Sequence, residues 1–254
     1  MSRPAVLITG GAKRIGAAIA RRFAGAGWHV VLHHNRSGAE AEALATTLPS
    51  AETIRCDLAD SDAALAMIEH LAARLEDWRA LVNSASVFGH DSVHALDPAV
   101  HAEAMRVNAE TPARMAQAFL RLARANGGRR VIEVLDQKLA NPNPDFFSYT
   151  MSKHALAATV PMQAMAADDP ADRVYGLAPG AILPSHDQTE EEAELSHRLN
   201  LLGRMTGPEE VADAAHFLAE GWLASGGMVY VDSGQHLLAQ DRDVIYLARE
   251  GTPA

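Results

Sequence analysis

The chain has 254 residues, 48% hydrophobic and 21% charged, with 18 Gly and 12 Pro, a globular composition that excludes disorder, collagen and coiled coil. Its 22 Lys and Arg against 32 Asp and Glu give a formal net charge of −10. A nucleic acid or an anionic membrane would have to bind against that field, so neither is expected as a partner.

Met1 to Pro4 leads at once into the apolar run Ala5 to Ile8, shorter than a secretory apolar region of about 7 to 15 residues. No run approaches the roughly 20 apolar residues of a membrane span. The single cysteine, Cys56, has no intrachain partner and no metal-binding spacing around it, which suits a reducing compartment. A soluble cytoplasmic protein is expected.

Strands are predicted at Ala5–Ile8, His29–Leu32, Thr53–Cys56, Ala80–Val82, Arg130–Leu135, Arg173–Leu177 and Met228–Val231, with helices at Ile15–Ala26, Ala39–Leu48, Asp62–Glu76, Pro98–Ala125, Tyr149–Ala167 and Pro208–Ala219. Short apolar strands alternating with long amphipathic helices are the pattern of βαβ units. Strands apolar on both faces imply a parallel sheet covered on both sides. The expectation is therefore an α/β doubly wound fold of seven parallel strands in a single domain spanning 1–254, since no composition break or repeat divides the chain. Ala181 to Asn200 is the most irregular stretch, a candidate mobile segment over a site.

After the first strand the chain reads Thr9-Gly10-Gly11-Ala12-Lys13-Arg14-Ile15-Gly16 and enters a helix. A glycine turn between strand and helix N-terminus offers free N–H groups and a positive dipole end to a phosphate. Lys13 and Arg14, with no acid beside them in sequence, suit an anion, although such a turn can also simply join strand to helix. The second strand ends in His33-His34-Asn35-Arg36-Ser37. An acid near this place would bond a ribose 2′-hydroxyl, whereas Arg accommodates a 2′-phosphate, so NADP is favoured over NAD; a solvated loop with a surface Arg is the alternative. Asp57-Leu58 after the third strand offers a carboxylate to an adenine amino group, or else a helix N-cap. Asn83-Ser84-Ala85-Ser86 after the fourth is a small-residue turn that lets backbone approach a ligand.

Tyr149 and Lys153 stand four apart at the head of a helix and share a face. An ammonium there would lower the phenol's pKa from about 10, making it a proton donor near neutrality. The twelve histidines show no His-x-x-x-His or His-Glu-x-x-His spacing, so no metal site is expected.

With Thr9-Gly10 to Ile15-Gly16, Asp57, Asn83-Ser84-Ala85-Ser86, Asn108, Tyr149 with Lys153, Pro179-Gly180 and Val231-Asp232-Ser233-Gly234 in this order, the chain resembles the short-chain dehydrogenase/reductase family over roughly residues 5 to 238. The resemblance implies a Rossmann-type domain, a homotetramer and hydride transfer between NAD(P) and a carbonyl-type group of a small-molecule substrate. It also implies cofactor contacts from Gly10, Lys13, Arg14, Ile15, Gly16, His33, Asn35, Arg36, Ser37, Asp57, Leu58, Asn83, Ser84, Ala85, Tyr149, Lys153, Pro179 and Gly180, and a relay water held by Asn108.

Two departures point to a subgroup: Asp136 stands where the family usually has Ser, 13 residues before its Tyr, and Arg14 stands where many members carry Gly. Together with His33, Arg36 and Ser37 they look like the pteridine reductases and bacterial dihydromonapterin reductases. In that subgroup Asp136 and Tyr149 would handle protons on a pterin ring and Phe88 would stack on it, with Arg14 at the substrate; a core anchor is the alternative for Phe88. Tyr175 replaces a usual Asn, Ser233 a common Gly, and 217–226 is about two residues short of the family pattern. The leading expectation is an NADPH-dependent pterin reductase. The alternatives are a reductase of another carbonyl or imine and a non-catalytic NADP-binding sensor.

Overall fold

The computed structural model describes residues 3–184 and 188–250. Its strands are β1 (Ala5–Ile8), β2 (His29–His34), β3 (Ala51–Arg55), β4 (Trp78–Asn83), β5 (Arg130–Val134), β6 (Arg173–Pro179) and β7 (Met228–Val231). The helices are α1 (Arg14–Gly25), α2 (Gly38–Thr47), α3 (Ser61–Arg74), α4 (Pro98–Met105), α5 (Thr111–Leu122), α6 (Phe147–Met165), α7 (Glu190–His197), α8 (Pro208–Ala219) and α9 (Val244–Glu250).

The strands form one sheet in the order β3-β2-β1-β4-β5-β6-β7, and every pairing is parallel. The chain winds outward from β1 to β3, then returns to the other side of β1 with β4. That reversal opens a crevice at the carboxyl ends of β1 and β4, where ligands bind in doubly wound sheets.

Both faces are covered. Met67, Ile68 and Leu71 of α3, Met115 and Phe119 of α5, and Leu156 and Val160 of α6 fill one side; Ile19 and Phe23 of α1, Leu44 of α2, and Val211, Ala215 and Leu218 of α8 fill the other. Full burial of each large side chain contributes about 1.5 to 3 kcal/mol relative to exposure, which is why the strands are apolar on both faces. Among the described residues no helix is long and apolar enough to cross a membrane.

One expected helix is corrected and two helices are added. The single helix expected over Pro98–Ala125 is interrupted by a wide π turn at Arg106–Glu110. The cause is readable: Pro112 has no N–H to give the carbonyl of Asn108 four residues back, and the Thr111 N–H reaches Arg106 O instead. The irregular segment 181–200 contains the helix α7, started by a capping box between Thr189 and Glu192; residues 185–187 of that segment lie outside the described ones. Finally, α9 follows the family-like part of the chain and packs against α7, a contact with no local signal in sequence.

Candidate active site

The crevice is a cavity of about 710 Å³. At its floor, Thr9 Oγ1 accepts the N–H groups of Ser84 (2.9 Å) and Ala85 (3.0 Å), clamping the end of β1 to the end of β4. Gly10 has φ +65°, and a Cβ there would meet Ala85 Cα at 3.1 Å; one on Gly16 would fall 2.3 Å from Gly10 O. Only glycine fits, and the result is a shallow cradle of backbone. The N-terminus of α1 opens into it with no acidic residue in the first turn and no side-chain cap. Its free N–H groups therefore suit an anion.

His33 braces this turn from beneath. Its Nδ1 accepts the Gly10 N–H at 3.1 Å and its Nε2 lies 3.1 Å from Cys56 O, so Nε2 carries the proton. Burial pushes its pKa down to about 4, which keeps the ring neutral. His33 borders the cavity with both ring nitrogens committed to backbone.

Lys13 and Arg14 are not an uncompensated basic pair, as the local sequence implies. Lys13 Nζ lies 2.6 Å from Glu40 of α2, and both side chains are half exposed. The Arg14 guanidinium donates to Pro184 O (2.9 Å) and Leu183 O (3.3 Å), joining the glycine turn to the segment after β6. Asn35 and the exposed Arg36 line the cavity at the end of β2, whereas Ser37 starts α2 away from its wall. Asp57 and Leu58 line it as well. Asp57 is not the helix cap: it accepts the Ala59 N–H at 3.0 Å, and Asp60 caps α3 through the N–H groups of Asp62 and Ala63.

Ile15, Gly16, Ser84 and Ala85 complete that end of the wall. Asn83 and Asn108 do not reach it. Asn83 is buried, with Nδ2 donating to Glu133 Oε1 at 3.1 Å. Asn108 spends its whole side chain on the scaffold: Oδ1 accepts from Ser86 Oγ (3.1 Å) and Val87 N–H (2.8 Å), and Nδ2 donates to Val87 O (2.9 Å) and Ser152 Oγ (3.1 Å).

The opposite wall carries the titratable groups. The entry to α6 is fixed by Asp91, which accepts the Ser148 N–H at 2.9 Å and its hydroxyl at 2.5 Å. One residue on, the Tyr149 hydroxyl donates to Asp136 Oδ2 at 2.8 Å, and Asp136 Oδ1 accepts the Lys138 N–H at 2.8 Å. Lys153 Nζ donates to Val134 O at 2.8 Å and lies 5.6 Å from the Tyr149 ring centre. Burial lifts the Asp136 carboxyl above the ordinary carboxylate range. Burial and the neighbouring Asp136 push the Tyr149 phenol well above 10, while burial brings Lys153 down to about 8. The expectation that Lys153 lowers the phenol's pKa is therefore corrected: the acid that touches the hydroxyl outweighs an ammonium one ring away.

Phe88 is 39% exposed and borders the cavity, so it is no core anchor. It stacks on Phe146 (4.1 Å between centres, 26°) and meets Tyr149 edge-on at 4.6 Å. Pro179 and Gly180 form the rim. A Cβ on Gly180 would meet Gln235 Oε1 at 2.6 Å and Asp232 Cβ at 2.7 Å, which explains the Pro-Gly pair and its seat against Asp232-Ser233-Gly234-Gln235. Tyr175, the unusual residue of β6, buries its ring and donates to Leu223 O at 2.7 Å, a structural role away from the cavity.

Several residues of this wall were missed in sequence. Lys138 and Asp243 form a buried ion pair at 2.6 Å that borders the cavity with Ile245 of α9; only the fold brings them together. Glu133, fully buried in β5 and not part of the cavity lining, did carry a signal, since an acid inside an apolar strand is rare.

Over residues 10–236 the chain matches the family model described as enoyl-(acyl carrier protein) reductase. It is 28% identical to pteridine reductase 1 of Leishmania tarentolae, covering 92% of this chain and 96% of that one. Among solved structures it is similar to FolM alternative dihydrofolate reductase 1 from Brucella canis complexed with NADP, with TM-score 0.87, 34% identity and coverage of 93% and 95%. It is also similar to the angucycline C-6 ketoreductase LanV with bound NADP, with TM-score 0.81, 27% identity and coverage of 92% and 96%.

Proposed function

The chain belongs to the short-chain dehydrogenase/reductase family, and from that premise we propose that it reduces the C=N bond of a pterin with Tyr149 as the proton donor. It is an oxidoreductase, and its cofactor is NADP(H). The glycine cradle, the uncapped N-terminus of α1 and the exposed Arg36 with no acid beside it fit a dinucleotide bearing a 2′-phosphate. Gly10, Ile15 and Gly16 would hold it by backbone, Asn35 and Arg36 at the 2′-phosphate, Asp57 and Leu58 at the adenine, Ser84, Ala85, Pro179 and Gly180 along its length, and Tyr149 and Lys153 at the nicotinamide end. When bound, it supplies the hydride.

The observation that carries the pterin reading is the 2.8 Å bond between Tyr149 and Asp136 beside the partly exposed Phe88 at the cavity wall. An ordinary carbonyl reductase needs one proton donor held by a neutral hydroxyl. Here two acidic groups share the place. Tyr149 can give up its proton only while Asp136 carries one, because two anions at hydrogen-bond distance would repel. Burial favours the protonated Asp136 that this requires. The pair therefore acts as one donor, which suits a heterocycle whose ring nitrogens need a proton as its carbon takes the hydride, and Phe88 offers such a ring a stacking surface. Lys153 stabilises the phenolate left behind. Asn108 can serve the proton path only through its main-chain carbonyl, which Pro112 leaves without the usual helical partner.

A second reading, reduction of another carbonyl or imine, is supported by the likeness to the ketoreductase LanV. Oxidation of NADPH, measured under one set of conditions with dihydrobiopterin, dihydromonapterin and a simple activated ketone, separates the two. Turnover with a pterin supports the first. Reduction of the ketone with no pterin reduced at any pH selects the second.

A further inference from the structure

Glu133 is an acid that the reaction above does not use. It sits near the carboxyl end of β5, fully buried, opposite Asn83 of β4 in the sheet register. Asn83 Nδ2 donates to Glu133 Oε1 at 3.1 Å. The remaining two oxygens of the pair, Glu133 Oε2 and Asn83 Oδ1, are both buried and both lack a hydrogen-bond donor. Two orphaned acceptors in one side-chain pair are costly if both are bare. A single proton on Oε2 removes both defects, because Oε2–H then donates to Oδ1 and closes a ring of two hydrogen bonds.

We propose that Glu133 is held as a neutral carboxylic acid in a cyclic pair with Asn83, and that it is a positioning residue which sets the electrostatic surroundings of Lys153. The neighbours support this. On β4, Asn83 is the polar partner; on α5, the Pro112 carbonyl takes the second Asn83 amide proton at 3.3 Å. On β6 the opposed residue is Gly176, where a Cβ would meet Met228 and Leu135, so the space there is apolar. Lys153 of α6 reaches the same strand one residue on, its Nζ donating to Val134 O at 2.8 Å, and its charge acts on Glu133. Burial raises Glu133 to about 7, against the lowering by Asn83 and Lys153. Lys153 in turn feels two acids, Asp136 and Glu133. With Glu133 neutral, only Asp136 competes for its charge; as Glu133 ionises above neutrality, a second anion holds the ammonium in its charged form.

The test has two readouts, and only the kinetic one rests on the catalytic reading of Lys153. In the wild-type protein labelled with ¹³C-glutamate, difference infrared spectroscopy near pH 6 should show a protonated-carboxyl band that moves with the label, since ordinary glutamates are ionised there with pKa about 4.3. The band should vanish in Glu133→Gln and persist in Asp136→Asn. In NADPH oxidation with dihydrobiopterin, Glu133→Gln, whose amide is neutral and can still pair with Asn83, should keep turnover near pH 6 within about threefold. Its alkaline limb should fall at lower pH, by on the order of one unit, because Lys153 has lost the anion that wild type acquires. Absence of the labelled band in the wild type overturns the proposal, and that measurement stands even if Glu133→Gln does not fold or dihydrobiopterin is not a substrate. A folded Glu133→Gln that loses more than tenfold in turnover near pH 6, or an unmoved alkaline limb, overturns it as well.

Discussion

Replacing Tyr149 by Phe removes one oxygen and leaves the ring against Phe88, where the two meet edge-on at 4.6 Å. The lost hydroxyl is the donor to Asp136 Oδ2 at 2.8 Å. Loss of a positioned general acid lowers turnover by about 10² to 10⁴, or roughly 3 to 5 kcal/mol of transition-state stabilisation at ~1.4 kcal/mol per decade. Stability should fall less, by about 1 to 3 kcal/mol, the cost of one buried acceptor left without its donor. The glycine cradle and Arg36 do not touch the hydroxyl, so NADPH affinity should change by less than about tenfold. Single-turnover oxidation of NADPH, calorimetric titration with NADPH and chemical denaturation measure the three quantities separately. Turnover within about threefold of wild type would refute the assignment of Tyr149 as proton donor. So would a loss of NADPH binding as large as the loss of turnover, since Tyr149 would then act through binding alone.

Asp136→Ser restores the commoner family arrangement, and it should cost more turnover with dihydrobiopterin than with an activated ketone; equal losses on both would remove Asp136 from pterin chemistry. In Asp136→Asn the carboxyl that must stay protonated for the pair to donate is gone, so the limb of the kcat profile that it sets should disappear or move to higher pH, and an unchanged profile would uncouple Asp136 from Tyr149. Arg36→Ala should narrow the preference for NADPH over NADH in measured dissociation constants, and an unchanged ratio would place the 2′-phosphate elsewhere. His33 is lowered from 6.5 to about 4 by burial, so the unfolded chain binds the extra proton first as pH falls. Stability should therefore drop between about pH 6.5 and 4, by up to ~3 kcal/mol, and His33→Gln should flatten that slope in denaturation curves taken across the window.

What the chain determined by itself was the layer order and one end of the site. Apolar runs of strand length between helical stretches are set by local burial, and all seven expected strands and the glycine turn depend on residues adjacent in sequence. Gly10 and Gly16 marked a strand-to-helix turn able to offer N–H groups to a phosphate, and Tyr149 with Lys153 share a helix face by spacing alone. Pro112 contained the break at Arg106–Glu110, although helical periodicity over Pro98–Ala125 concealed it. Tertiary structure decided the rest, because it depends on groups far apart in the chain. Lys13 finds Glu40 and Arg14 finds the carbonyls of Leu183 and Pro184, which turns a basic pair into two tethers. Lys138 meets Asp243 only once α9 has folded back on the cavity. The direction of the Tyr149 pKa was likewise beyond the sequence: spacing places Lys153 on the same helix face, but desolvation and contact with Asp136 exist only in the packed site, and at hydrogen-bond distance they outweigh a charge held further off.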